Sequence, residues 1–184
     1  MEDYLRNDLV TTYIEPNRHL FELDYYLFQS GAEEFHENIK TGILDIKVCS
    51  PLYNGNVYYI FECKRLNKAL IDNYVNEGIL RFVNNQYYPE SETDVAGIIS
   101  FLESEDDRSK IDYPDSFLAI DTILKKHKKN IKLRGNLNPY NLSSSISQYV
   151  NDFKYIYMSK HNRNNRSAIA IYHIVLNYNH LIRE

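Results

Sequence analysis

The chain of 184 residues has no tryptophan and two cysteines, Cys49 and Cys63. Two thiols cannot build the disulfide framework of a small secreted domain, and neither belongs to a Cys-x-x-Cys pair or a His-rich cluster with zinc-ligand spacing. Both are expected to be reduced. Long apolar runs are also missing. No stretch reaches the roughly 18 residues that span a bilayer, and the acidic start MEDYLRNDLV lacks the apolar segment of a signal peptide. These absences argue against a membrane partner and for a cytoplasmic location. No internal repeat or linker interrupts the chain, so one domain over residues 1–184 is expected. With 43% hydrophobic and 25% charged residues, disorder and a coiled coil are poor readings.

Tyrosine is abundant, at 17 residues, which we read mainly as a coding bias. The net charge of −4 hides an asymmetry: residues 1–107 hold 8 basic and 20 acidic side chains, and residues 108–184 hold 13 and 5. An acidic part able to hold cations thus precedes a basic part able to meet phosphates. The densest basic stretch, LKKHKKNIKLR (124–134), fits a solvated helix equally well.

Apolar spacing predicts a helix over residues 1–14, stopped or redirected by Pro16, and a strand within HLFELDYYLF (19–28). QSGAEEFHENIKTG (29–42) reads as a loop. Strands are predicted over 42–50 and 56–64, joined by a turn at PLYNG, then a helix over 66–84 in which Gly78 marks a close approach of another element. A buried strand over 95–103, an amphipathic helix over 112–129 and two closing strands at 155–161 and 167–178 complete the reading. NLNPYNLSSSISQYVNDF, between the last helix and the closing strands, has no clear pattern.

A turn centred near Tyr53 and Asn54 places position 45 opposite position 62. Asp45 and Glu62 would then sit within a few Å of each other on one face. Facing carboxylates repel unless a cation lies between them. Lys64 shares the face of Glu62, whereas Cys63 alternates to the other side and into the core.

The stretches GILDI (42–46) and YIFECKRL (59–66), with the helix and strand that follow, resemble the PD-(D/E)XK nuclease superfamily, and more narrowly a bacterial subgroup associated with restriction or phage defence. The resemblance covers roughly residues 1–105. It implies an α/β fold with a restriction-endonuclease-like core, a central mixed β-sheet flanked by helices. It also implies Mg²⁺- or Mn²⁺-dependent hydrolysis of DNA phosphodiester bonds. Asp45 and Glu62 would be the metal carboxylates, the Cys63 carbonyl a third ligand, and Lys64 the group that polarises water and offsets phosphate charge.

The family adds an acid from the first helix, for which Asp8 is preferred over Glu2 and Glu15, and sometimes a basic residue on the later helix, here Arg81. The partners implied are DNA and either a second copy or a partner protein. A catalytically silent, nuclease-like subunit binding DNA or protein is the alternative. His161 and His173 have no partner at metal-ligand spacing and are expected to be core or surface histidines.

Overall fold

The computed structural model describes residues 2–36, 39–50, 57–66, 70–88, 93–102, 137–139, 156–163 and 166–177. The turn at 51–55, the helix expected over 112–129 and the basic stretch 124–134 lie outside the described residues, as does most of the patternless segment before the closing strands.

The N-terminal helical run consists of α1 (Glu2–Asp8), a π-helical stretch (Leu9–Ile14), α2 (Glu15–Asn17) and a 3-10 turn (Arg18–Phe21). Pro16 does not stop it. The proline sits in the first turn of α2, where its missing amide is tolerated, and the Glu15 N–H reaches back five residues to the Val10 carbonyl. Glu22, left-handed at φ 57°, ends the run.

The expected strand within residues 19–28 gives way to this 3-10 turn, and the first strand falls on the segment read as a loop. It is β1 (Leu27–His36), followed by β2 (Ile39–Cys49). Two facts account for the shift. Tyr25 and Leu27, two of the alternating apolar residues, are exposed, so their alternation reflects no buried face, and β1 is an edge strand, where polar residues such as Gln29, Ser30 and Glu33 can stay in solvent.

The second helical run, α3 (Ile71–Asn73), a π-helical stretch (Tyr74–Ile79) and α4 (Leu80–Val83), follows β3 (Tyr58–Leu66) and precedes β4 (Val95–Leu102). Short β5 (Leu137–Pro139), then β6 (Ile156–Arg163) and β7 (Arg166–Asn177), complete a seven-stranded sheet in the order β1-β2-β3-β4-β7-β6-β5. The sheet is mixed. β3, β4 and β7 run parallel at its centre, and the other neighbours are antiparallel.

Helices cover both faces, as an α/β core requires. On one face Leu44, Ile60, Ile98 and Ile171 pack with Tyr74, Ile79 and Phe82 of the second helical run. On the other, Ile46, Val48, Cys63 and Phe101 pack with Leu5 and Val10 of the first. The close approach expected at Gly78 does not depend on glycine: a Cβ there would stand in ordinary contact, 3.5 Å from Ile98 Cδ1 and 3.7 Å from Lys64 Cγ. β4 is almost wholly buried, in keeping with its unbroken apolar sequence.

Candidate functional site

β2 and β3 pair in the register read from the sequence. Ile46 lies opposite Phe61 and Lys47 opposite Ile60, which puts position 45 beside position 62. The pairing stops there. β3 instead runs on along β4 as far as Leu66, two residues beyond its expected end, so Glu62 and Lys64 lie inside the strand rather than at its rim.

The pleat of β2 also changes at Asp45. Leu44 and Ile46 are two residues apart, yet they pack into clusters on opposite faces of the sheet. On the neighbouring strand, Gly31 adopts φ 66° between the pairs Ser30–Ile46 and Ala32–Leu44. A left-handed residue opposite Asp45 is the local cause of the kink. The two carboxylates therefore do not share a simple hairpin face. Asp45 turns toward the first helix and β3, where it accepts hydrogen bonds from Arg6 Nη1 at 3.0 Å and from the Cys63 amide at 2.7 Å.

Arg6 also meets Asp3 at 3.0 Å and is itself buried. Glu2, one helical turn before Arg6, reaches Lys64 Nζ at 3.2 Å and the Arg65 amide at 3.4 Å. Glu2, rather than Asp8, is thus the first-helix acid beside the motif, for Asp8 accepts a bond from the Thr12 hydroxyl on an exposed surface. Glu2 and Arg6, four residues apart on the face that carries Leu5, were readable as one patch, because i and i+4 side chains are neighbours on a helix.

Glu62 is fully buried. One oxygen, Oε1, accepts from Lys64 Nζ at 2.7 Å and Arg81 Nη1 at 2.8 Å, and Oε2 accepts from the Tyr87 hydroxyl at 2.7 Å. Burial first, and Asp45 second, push its carboxyl above the ordinary carboxylate range despite these donors. Burial opposes charge on Lys64, but Glu62, with help from Glu2 and Asp45, more than offsets it and raises the ammonium pKa. Burial, then Asp45 and Glu62, hold the Cys63 thiol far from ionisation, so it is no nucleophile. Its carbonyl is better placed. In a strand the N–H and C=O of one residue point to the same side, and the Cys63 N–H points at Asp45.

Comparisons with protein-family models, curated proteins and solved structures find no match.

The site thus gathers Asp45, Glu62, the Cys63 backbone, Lys64 and Arg81, adds Glu2, Arg6 and Tyr87, and leaves Asp8 outside. Among the described residues no three His, Cys, Asp or Glu side chains gather as a metal cage. The oxygens present, two carboxylates and the Cys63 carbonyl on the Asp45 side of β3, are of the kind that holds a hard divalent cation whose other ligands are water. Among the described residues no helix is long and apolar enough to cross a membrane.

The histidines form a separate buried cluster. His161 and His173 both approach the Ser159 hydroxyl through Nε2, at 2.7 and 2.8 Å, and His173 Nδ1 lies 2.7 Å from the Tyr74 hydroxyl, which accepts from Ser100. All five residues are buried, which fits core histidines.

Proposed function

We propose that this chain is a Mg²⁺- or Mn²⁺-dependent DNA endonuclease on a restriction-endonuclease-like core. The observation that carries the reading is the convergence of Asp45 with Glu62, Cys63 and Lys64 where β2 and β3 part, beside α1. The order helix, three meandering strands, helix, buried strand agrees with it.

Asp45 and Glu62 would hold the cation, with the Cys63 carbonyl beside them. A divalent ion so held would polarise a water and shield charge on the phosphate. The chain's own contribution is the Lys64 ammonium, fixed between Glu62 and Glu2, which would offer N–H donors to a phosphate oxygen or the attacking water. Arg81, half-buried against Glu62, would restrain that carboxylate. The basic half of the sequence would meet the DNA backbone. A role in restriction or phage defence, as a homodimer or with a partner protein, rests on the resemblance alone.

One observation favours a second reading, a nuclease-like subunit that binds DNA or protein without cutting. Each carboxylate already faces a side-chain cation, Arg6 at Asp45 and Lys64 with Arg81 at Glu62. The test compares cleavage of plasmid and single-stranded DNA, with Mg²⁺ or Mn²⁺, by wild type, Glu62→Ala and Lys64→Ala. Cleavage by wild type that drops at least about 100-fold in both variants supports the enzyme. Equal nicking by all three, or none by any, removes it, and DNA binding that survives both substitutions with a steep salt dependence supports the subunit.

A further inference from the structure

Between α4 and β4, residues 84–88 are built to a definite shape. The Gln86 and Tyr87 amides both donate to the Arg81 carbonyl, at 3.0 and 3.1 Å. Asn85 and Tyr88 each adopt φ 58°. Asparagine tolerates this conformation, but a tyrosine there is strained and persists only when its surroundings hold it. As a result two consecutive tyrosines turn inward, and both are fully buried.

They do different things. The Tyr88 hydroxyl accepts from the Ile60 amide and donates to the Val95 carbonyl at 3.2 Å, tying β3 to β4. The Tyr87 hydroxyl lies across the opening between β2 and β3. It donates to Glu62 Oε2 at 2.7 Å, is 3.3 Å from the Ile43 carbonyl of β2, and accepts from Arg81 Nη1 at 2.8 Å. Arg81 therefore acts twice, its carbonyl fixing the turn that carries Tyr87 and its guanidinium joining Tyr87 to Glu62. Burial and Glu62 raise the phenol far above its ordinary pKa, so it remains a donor.

We infer that Tyr87 is a positioning residue for Glu62: its hydroxyl, held by Arg81 and the left-handed turn, fixes one carboxylate oxygen and leaves the carboxylate oriented to ligate a divalent cation with Asp45. This rests on the metal-site reading above. Groups that orient a metal ligand contribute about 10- to 100-fold in affinity.

The experiment titrates the full chain with Mn²⁺, followed by calorimetry and by the electron paramagnetic resonance of the free ion. Wild type, Tyr87→Phe, Tyr88→Phe and Glu62→Ala are compared, with a thermal melt of each. Tyr88→Phe is the control, since it disturbs the same turn and loses buried hydrogen bonds without touching Glu62. Tyr87→Phe is expected to bind Mn²⁺ at least about 10-fold more weakly, and Tyr88→Phe to stay within about 2-fold of wild type. Where cleavage is measurable, Tyr87→Phe lowers kcat with the KM for DNA unchanged. Equal Mn²⁺ affinity in wild type and Tyr87→Phe, or an equal loss in both tyrosine variants, overturns the inference. If Tyr87→Phe fails to fold, Arg81→Gln, which removes from a half-buried position the donor shared by the phenol and Glu62, is expected to weaken Mn²⁺ in the same direction, and unchanged affinity there is equally fatal. Failure of the underlying reading looks different: wild type itself binds no Mn²⁺, or Glu62→Ala binds as well as wild type, and the inference falls with it.

Discussion

Mild acid should destabilise the fold through His161 and His173. Burial lowers the His161 pKa to about 4, and burial together with His161 lowers that of His173 to about 3, both from an ordinary value of 6.5. The unfolded chain therefore takes up protons that the folded chain refuses as the pH falls below about 6.5, so stability is full above that pH and declines beneath it. At pH 5 each unfolded histidine has gained about 1.5 pH units' worth of protonation free energy. At ~1.4 kcal/mol per unit this is about 2 kcal/mol per residue, or about 4 kcal/mol for the two. That is a large share of the 5–15 kcal/mol typical of a domain. Glu62 pulls the other way, because its raised carboxyl pKa makes the folded state the better proton acceptor. The histidine share is best read as a difference between chains. Urea unfolding at pH 7 and pH 5, followed by circular dichroism and tyrosine fluorescence, is compared for wild type and His161→Gln, whose amide can still meet Ser159 but does not titrate. Wild type should lose more than His161→Gln by about 2 kcal/mol over this interval. Equal losses in the two chains would refute the assignment of the pH dependence to the buried histidines.

Two glycines should respond in opposite ways. A Cβ on Gly97 would stand 2.3 Å from Phe61 Cδ1 and 2.5 Å from Cε1, so Gly97→Ala should cost about 1–3 kcal/mol in urea unfolding. Much of that cost should vanish in a Phe61→Ala background. At Gly78 the nearest side-chain atoms, at 3.5 and 3.7 Å, leave ordinary contact for a methyl group. Gly78→Ala should therefore raise stability by up to about 1 kcal/mol through helix propensity, whereas Gly78→Leu must displace Ile98 or the Lys64 stem and should lower it.

The sequence by itself determined the α/β arrangement, β2, β3, β4 and the closing pair, and the register that puts position 45 beside position 62. Those features follow from alternation and turn chemistry, which act over a few residues. β1 was hidden because an edge strand can be polar, and the helical run through Pro16 because a π-helical stretch rearranges hydrogen bonds that no residue pattern announces. Only the tertiary structure decided how the carboxylates are arranged. The kink at Asp45 depends on Gly31 of the neighbouring strand, and the pairing that holds β3 beyond Phe61 comes from β4. Arg6, Glu2, Arg81 and Tyr87 reach the motif from elements up to some sixty residues away in the chain, as the Glu2–Lys64 bond shows. Such meetings are set by how helices pack on a sheet, and spacing along a single sequence does not record them.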